Sequence, residues 1–306
     1  MTSSPAQLIL DTDMLTDCDD AGALAMLHAL ADLGEAHILA VAVNGMDTHG
    51  LHSAVVSAIN TYFGRPDIPI GVSPRTAEEM PAKPSSYSPA IFEEFPHDGL
   101  RDAERSNAVN LYRRLLTEAE DHSITIVSIG FLSNIADLLA TPSGRDLVAR
   151  KVKGITIMGG AYPAGSEYNF NFQGVGATTK ATIESWPTTV PMTFVGYELG
   201  ELIITGKGYA NMPSSPMKRA YEIAYYSILN GRPSWDQIAV LHGVRGLEHK
   251  DTLYFKAVHG ENHITDEGSN SWTENKNSPH AYLELATEID TLASAIETLM
   301  LATPQR

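Results

Sequence analysis

Short apolar segments alternate with helical segments along the first half of the sequence, and this alternation restricts the possible folds more than any other feature. Apolar runs with the length of buried strands occupy residues 8–10, 38–43, 124–127 and 155–158. Apolar residues with helical spacing occupy residues 21–30, 51–63, 108–119 and 135–139. This order predicts an α/β fold with a mostly parallel central sheet and helices on both faces. Because the sequence shows no linker and no repeat, we expect a single domain over residues 1–306.

Two stretches lack a regular pattern. Residues 73–101 contain several prolines and aromatic residues, and residues 260–278 are rich in Asn, Glu and Ser. A loop as long as the first one is unusual inside a compact domain unless it has a role. We therefore consider a lid over a binding site for residues 73–101, with a surface excursion of no function as the alternative. Residues 260–278 are expected to be irregular.

Five aspartates lie between the first predicted strand and the first predicted helix: Asp11, Asp13, Asp17, Asp19 and Asp20. A turn or a helix N-terminus favours one or two aspartates, whereas five neighbouring carboxylates repel one another. A hard divalent cation relieves this repulsion, and calcium accepts about 6 to 8 oxygen ligands in flexible geometry. The cluster therefore predicts a metal site, with a solvated acidic loop as the alternative. It is not an EF-hand, which needs a Gly and a Glu that this loop lacks.

The composition limits the possible partners and the compartment. The formal net charge of -16 excludes nucleic-acid polymers and anionic membrane surfaces as partners, and it favours a neutral small molecule or a cation. Cys18 is the only cysteine, which excludes an intramolecular disulfide and a zinc site made of cysteines. No apolar run is long enough to span a bilayer, and residues 1–7 lack the regions of a signal peptide. We expect a cytoplasmic protein.

A strand that ends in Asp-x-Asp also resembles the nucleophile loop of the haloacid dehalogenase superfamily. In that superfamily the first aspartate attacks phosphate and magnesium binds nearby, so a metal-dependent phosphatase is an alternative function. Leu15 stands where that pattern has Thr or Val. The later acidic pair of that pattern has no counterpart in the sequence.

A fuller resemblance is to the inosine-uridine nucleoside hydrolase family, and it covers most of the chain. The family signature, Asp-x-Asp followed shortly by Asp-Asp-Ala, matches Asp11, Asp13, Asp19, Asp20 and Ala21. The later matches follow in the family's order: Asn44 after the second strand, a turn at residues 130–134, Met158-Gly159-Gly160, Glu167-Tyr168-Asn169, and Asp236 before an apolar run. Each match is weak alone, but the ordered set is specific. The resemblance implies a nucleoside hydrolase-like fold related to the Rossmann fold.

The resemblance also implies the roles of individual residues. A calcium ion would be held by the side chains of Asp13, Asp20 and Asp236 and by the main-chain carbonyl of Ile129. Ribose would be held by Asp19, Asn44, Glu167 and Asn169, with Met158 and Trp235 also in the substrate site. Asp13 would act as general base on a metal-bound water that attacks C1′, releasing ribose and free base as in purine and pyrimidine salvage. The family further suggests a homodimer or homotetramer.

Two features depart from the commoner family pattern. Five residues, including the additional Asp17, separate Asp13 from Asp19, and this loop is longer than in the commoner signature. Trp235 stands where many members have the histidine that protonates the leaving base. We expect Trp235 to pack at the start of the helix that carries Asp236, with stacking on a purine as the alternative. The acid would then be sought at Tyr221, Tyr225 or the loop of His97. A nucleoside- or sugar-binding protein without catalysis is the third class of function considered.

Overall fold

A computed structural model of the chain describes residues 4–76, 79 and 82–305. The strands of this part are β1 (Ala6–Thr12), β2 (Ala36–Val43), β3 (Met46–Asp47), β4 (Ile70–Val72), β5 (Ala82–Lys83), β6 (Ser106–Asn107), β7 (Ile124–Ser128), β8 (Val152–Met158), β9 (Ala164–Gly165), β10 (Met192–Val195), β11 (Ile204–Thr205), β12 (Arg232–Pro233), β13 (Glu248–His249), β14 (Thr252–Leu253), β15 (Phe255–Ile264), β16 (Asn270–Glu274) and β17 (Ala281–Leu285). The α-helices are α1 (Asp19–Asp32), α2 (His52–Tyr62), α3 (Ser88–Glu94), α4 (Ala108–Glu118), α5 (Ser133–Leu139), α6 (Pro142–Lys151), α7 (Tyr168–Asn171), α8 (Gly176–Ser185), α9 (Tyr197–Gly200), α10 (Pro216–Ile223), α11 (Ser227–Asn230), α12 (Trp235–Arg245) and α13 (Ile289–Met300).

Eleven of these strands form one sheet, in the order β6-β4-β2-β1-β7-β8-β10-β17-β15-β16-β9. Every neighbouring pair from β6 to β17 is parallel. From β17 onward β15, β16 and β9 are paired antiparallel. The predicted α/β fold with a mostly parallel sheet is confirmed.

The central strand β1 shows why helices cover both faces. Successive side chains of a strand point to opposite faces. Leu8 and Leu10 accordingly pack in one apolar core with Leu24 of α1. Ile9 packs in the second core with Leu111 of α4. Each of these fully buried side chains contributes about 1.5–3 kcal/mol relative to an exposed one, so an apolar run without alternation is stable only in the middle of a sheet covered on both sides.

The prediction for residues 260–278 was wrong, because most of this stretch forms a β-hairpin. β15 and β16 pair in antiparallel register from Gly260 opposite Glu274 to Ile264 opposite Asn270. Gly268 in the turn has a φ of +88°, a conformation that favours glycine. The hairpin lies near the edge of the sheet and buries few of its side chains. The apolar alternation that marks a half-buried strand is therefore weak in its sequence.

Residues 73–101 include β5 and α3 and contact the acidic loop. The hydroxyl of Ser85 donates to the carbonyl of Leu15 at 2.9 Å, and the hydroxyl of the buried Tyr87 donates to the carbonyl of Asp17 at 2.9 Å. These bonds argue against an excursion without contacts. Residues 77–78 and 80–81 of this stretch, and residues 1–3 of the segment considered as a signal peptide, lie outside the described residues. In the described part of the chain, no helix has the length and apolar character needed to cross a membrane.

Candidate active site

The carboxyl ends of three parallel strands meet at a cavity of about 420 Å³. Asp13 directly follows β1, Ile129 directly follows β7 and Met158 ends β8. Ligands of open α/β sheets bind at this edge. The structure brings nine of the predicted site residues to the wall of this cavity: Asp13, Asp19, Asp20, Ile129, Met158, Glu167, Asn169, Trp235 and Asp236.

The main chain at Asp13 is enclosed by two glycines of neighbouring strand ends. A Cβ atom at Gly45 would lie 2.6 Å from the carbonyl oxygen of Asp13, and a Cβ atom at Gly130 would lie 2.6 Å from its nitrogen. Such approaches are possible only for glycine. The next residue, Met14, has a φ of +47° and donates its N–H to Asp20 Oδ1 at 3.3 Å. The start of the acidic loop is therefore tightly held.

Three buried carboxylates lie close together at the wall of the cavity. One side-chain oxygen from each of Asp19, Asp20 and Asp236 lies within 4.8 Å of the other two. Asp19 and Asp20 occupy the first turn of α1, and Asp236 occupies the first turn of α12. Burial, and next the charges of neighbouring aspartates, raise the pKa of Asp236 well above its ordinary value. Burial also raises the pKa values of Asp19 and Asp20.

Asp13 lies beside this group and is 6% exposed. Burial, with the nearby charge of Asp19, raises the pKa of Asp13 to about 7. Of the five aspartates in the acidic loop, Asp17 forms an ion pair with a basic side chain, that of Arg232. Among the described residues, the buried carboxylates of the loop form no ion pair with a lysine or arginine. A donor set made of carboxylate oxygens and a nearby main-chain carbonyl fits a hard divalent cation. The close group of three includes Asp19, which was predicted to bind ribose, and does not include Asp13, which was predicted to be a metal ligand.

Two other predicted polar residues, Glu167 and Asn169, lie at the start of α7. Glu167 is the N-cap of this helix, and its carboxylate accepts from the N–H of Asn169 at 2.8 Å and from the N–H of Gly160 at 3.1 Å. Asn169 donates from Nδ2 to the carbonyl of Met158 at 3.3 Å. These bonds orient two polar side chains at the cavity, and burial raises the pKa of Glu167 to about 7.

Asn44 does not lie on the wall of this cavity. It is fully buried, its Nδ2 donates to Asp11 Oδ1, and its Oδ1 accepts from the N–H of Phe131 at 2.8 Å. Asp11 is equally buried and also accepts a hydrogen bond from Tyr112. Both residues lie behind the cavity, where they hold the strand ends. The predicted contact between Asn44 and ribose has no support in this arrangement and stays a prediction.

An aromatic wall, defined here as Tyr197, Tyr225 and Trp235, faces the same cavity. Trp235 begins α12, as expected, and its Nε1 donates to the carbonyl of Tyr197 at 2.8 Å. Its ring stacks on Tyr197 with centroids 5.4 Å apart, and it also lines the cavity. Of the residues considered as acids, Tyr225 lines the cavity, whereas the described part of its wall includes neither Tyr221 nor His97.

The cavity wall also contains residues that sequence reasoning did not assign to the site, among them Thr16, Lys83, Tyr197 and Arg232. Arg232 forms an ion pair with Asp17, which is distant in sequence, and no local sequence pattern predicts such a pair. Lys83 lies in the stretch considered as a lid. For Tyr197 the sequence offers no signal.

Comparison with known proteins agrees with this geometry. No curated protein matches the chain. Among solved structures, a plant nucleoside hydrolase has 17% identity and a TM-score of 0.73, with 97% of this chain and 99% of that one covered. A purine-preferring ribonucleoside hydrolase from Gardnerella vaginalis has 15% identity and a TM-score of 0.72, with 96% and 98% covered. The type III effector protein XopQ, solved with adenosine diphosphate ribose, has 17% identity and a TM-score of 0.71, with 98% and 96% covered.

At such identities these structures establish the fold alone. The family assignment comes from a sequence model, that of the inosine-uridine preferring nucleoside hydrolases, which matches residues 8–240. The match includes every aspartate of the acidic loop, the start of α7 and Asp236. The chain belongs to the inosine-uridine preferring nucleoside hydrolase family.

Proposed function

We propose that the protein hydrolyses the N-glycosidic bond of nucleosides at this cavity, in a calcium-dependent reaction that yields ribose and free base. Membership of the family makes it a hydrolase of N-glycosyl compounds. The observation that supports the metal-dependent mechanism is the burial of Asp13 beside the close group of Asp19, Asp20 and Asp236. Isolated buried carboxylates are costly, and a functional site with a bound cation accounts for their arrangement.

The carboxylates of Asp13, Asp20 and Asp236 and the carbonyl of Ile129 are the proposed ligands, and Asp19 lies close enough to join them. A calcium ion held there would supply the positive charge that lowers the pKa of a water molecule and orients ribose hydroxyls. Asp13 is the proposed general base. The close approach of Gly45 and Gly130 holds the Asp13 main chain, so its carboxylate is already in place to take a proton from the attacking water.

Glu167 and Asn169 are proposed to hold ribose hydroxyls. Their side chains are already oriented by main-chain bonds at the start of α7, so little conformational entropy is lost when substrate binds. Hydrogen bonds to the sugar position C1′ for attack and strengthen as the ring becomes cationic. The Met158 side chain and the aromatic wall provide the apolar surface that a nucleobase needs.

The phosphatase alternative lacks an accessible nucleophile. Its first aspartate would be Asp11, which is fully buried and accepts hydrogen bonds from Asn44 and Tyr112. A protein that only binds nucleosides would use the ribose contacts but has no need for a buried carboxylate such as Asp13 beside the metal group. Both alternatives are therefore weaker than hydrolysis.

A substrate panel tests the proposal. Purified protein with calcium is incubated with purine and pyrimidine nucleosides, 4-nitrophenyl β-D-riboside and phosphomonoesters, and free reducing sugar, nitrophenolate and phosphate are measured. Release of ribose supports hydrolysis. Release of phosphate alone, or a thermal shift with nucleosides and no turnover, contradicts it in favour of a phosphatase or a binding protein.

We also propose that the whole chain is one domain. The family match ends at residue 240, but β15 and β17 beyond it belong to the same sheet, and Leu292 of α13 packs in the core that contains Leu8 of β1. A homodimer or homotetramer, which the family suggests, stays a prediction that sedimentation velocity can test.

A further inference from the structure

Asp17, the additional carboxylate of the long acidic loop, holds Arg232 at the cavity wall. Arg232 donates from Nε to Asp17 Oδ1 at 2.7 Å and from Nη2 to Asp17 Oδ2. This two-bond pair uses one edge of the guanidinium group. Among the described residues no acceptor binds Nη1, so its two N–H groups remain available.

Two aromatic rings lie against the same guanidinium group. The central carbon of Arg232 lies 4.6 Å from the ring centroid of Tyr225 and 5.3 Å from that of Trp235. Trp235 is itself fixed by its hydrogen bond to the carbonyl of Tyr197. Arg232 is therefore held by a carboxylate at one edge and by rings beside it, an arrangement that a flexible surface arginine does not have.

The position of Arg232 in the cavity indicates which part of a substrate it meets. The carboxylates, Glu167 and Asn169 are suited to the hydroxyl-rich sugar. The aromatic wall of Tyr197, Tyr225 and Trp235 is suited to a flat nucleobase. Arg232 contacts two members of that wall, which places it on the side of the cavity suited to the base.

We propose, on the basis of the proposed function, that Arg232 stabilises the departing nucleobase as an anion and that Asp17 positions Arg232 for this task. Arg232 would thus replace the histidine that protonates the base in many family members and whose position Trp235 occupies here. The bond between C1′ and the base nitrogen breaks, and its electron pair stays on the base. The water oxygen forms the new bond to C1′, and its proton passes to Asp13. The base leaves as an anion beside the guanidinium group and takes a proton from solvent after release.

The charge of Arg232 suits this role. Burial alone lowers its pKa, but the ion pair with Asp17 and the neighbouring carboxylates outweigh burial and raise the pKa above its ordinary value. Arg232 therefore stays cationic and acts by charge and hydrogen bonding, as a preorganised donor that stabilises a developing anion. A tyrosine acid at Tyr225 would instead lose its proton in the reaction.

The test compares two leaving groups in Arg232→Gln, Arg232→Lys and Asp17→Asn. Natural nucleosides release a poor leaving group, whereas 4-nitrophenyl β-D-riboside releases a stable anion. We expect Arg232→Gln to lower kcat for nucleosides by about 100- to 1000-fold, the usual loss for one such donor, and kcat for the riboside by less than about tenfold. Arg232→Lys keeps the positive charge but loses the planar guanidinium group, and Asp17→Asn weakens the two-bond pair that holds this group. Both variants should therefore show smaller losses of kcat with the same dependence on the leaving group.

Lys83→Gln is the matched control, because it removes one positive charge from the same cavity without touching Asp17 or the aromatic wall. It should slow both substrates by the same factor. Guanidinium chloride at millimolar concentration should partly restore nucleoside turnover in Arg232→Ala and leave riboside turnover unchanged. Thermal unfolding of each variant shows whether the fold is retained, and Arg232→Lys preserves the test if the uncharged variants unfold.

Three outcomes would overturn the proposal. Equal losses for both substrates in the Arg232 variants would make the residue structural. Unchanged turnover in Arg232→Gln, with a leaving-group-dependent loss in Tyr225→Phe, would assign protonation to the tyrosine. If wild-type protein cleaves neither substrate, the proposed function itself fails together with this inference.

Discussion

The hydroxyl of Tyr112 donates a 2.7 Å hydrogen bond to Asp11 Oδ2, an atom of a fully buried carboxylate behind the cavity. Removing a donor from a buried acceptor costs most of the desolvation energy of that acceptor. Tyr112→Phe should therefore lower the free energy of unfolding by about 1–3 kcal/mol in urea denaturation.

Tyr197→Phe is the comparison, because the Tyr197 hydroxyl donates to the exposed Glu201 at 2.9 Å. This change should alter the free energy of unfolding by no more than about 0.5 kcal/mol. Equal losses in the two variants would show that the bond from Tyr112 does not stabilise Asp11.

Asp13→Asn should lower kcat by about 10²- to 10⁴-fold, because the amide keeps the shape of the side chain but cannot accept a proton. Turnover and metal content are measured on the same preparation, so that loss of the general base can be distinguished from loss of the bound metal ion. Asp137→Asn, which breaks the pair with Arg75 at 2.8 Å and does not alter the cavity wall, should keep wild-type turnover. Wild-type rates in Asp13→Asn would eliminate Asp13 as the base.

Calcium should stabilise the protein through the group of Asp19, Asp20 and Asp236. At about 100 times its Kd, a ligand that binds only the folded state adds about 2.7 kcal/mol to the free energy of unfolding. We expect this rise in thermal or urea unfolding of chelator-treated wild type, and a much smaller rise in Asp236→Asn. Magnesium should be less effective, because it keeps several of its waters. Full turnover of protein shown to be free of divalent metal would refute the site.

Glu167→Ala should lower kcat/KM by about 10- to 100-fold, the usual value of one hydrogen bond to a charged group. Because ribose contacts also position C1′, both KM and kcat should change. Comparing 2′-, 3′- and 5′-deoxynucleosides identifies the hydroxyl concerned, since the penalty for removing it should disappear in the variant. If all three penalties persist in Glu167→Ala, the residue does not contact ribose.

His28 should make the protein less stable at acidic pH. Burial lowers the pKa of His28 to about 4, while its Nε2 pairs with Asn60 Oδ1 at 2.9 Å and its ring stacks on Phe63. Between pH 6.5 and pH 4 the unfolded chain binds a proton that folded His28 does not, so stability falls as the pH falls through this window.

From pH 7.5 to 4.5 this group alone removes about 2.5 kcal/mol. His28→Gln keeps a hydrogen-bonding side chain at the position without the titration. Urea unfolding of this variant should therefore show a pH dependence smaller by about that amount. An unchanged pH dependence would contradict the assignment of this loss to His28.

The parts of the molecule that depend on local order could be predicted from sequence. The strand at residues 8–10 and the helix at residues 21–30 follow from apolar spacing, and the five aspartates between them exceed what a turn needs. The hairpin of β15 and β16 was not predicted, because most of its side chains are polar and the alternation of apolar and polar residues that marks a strand is weak. The pair of Asp17 and Arg232 was not predicted, because the two residues are 215 positions apart in sequence. Such a contact depends on the three-dimensional fold and leaves no local sequence pattern.

The positions around the cavity differ in how well they tolerate substitution, and the two glycines that enclose Asp13 are the least tolerant. Any larger residue at Gly45 or Gly130 would displace the main chain of Asp13, so we expect random mutagenesis at these strand ends to yield mostly inactive enzyme. On the aromatic side of the cavity, the Tyr197 side chain is 41% exposed and can be replaced without moving the main chain of Asp13, whereas Tyr225 packs on Arg232. Laboratory evolution of a new base preference should therefore randomise Tyr197 and leave Tyr225 and both glycines untouched.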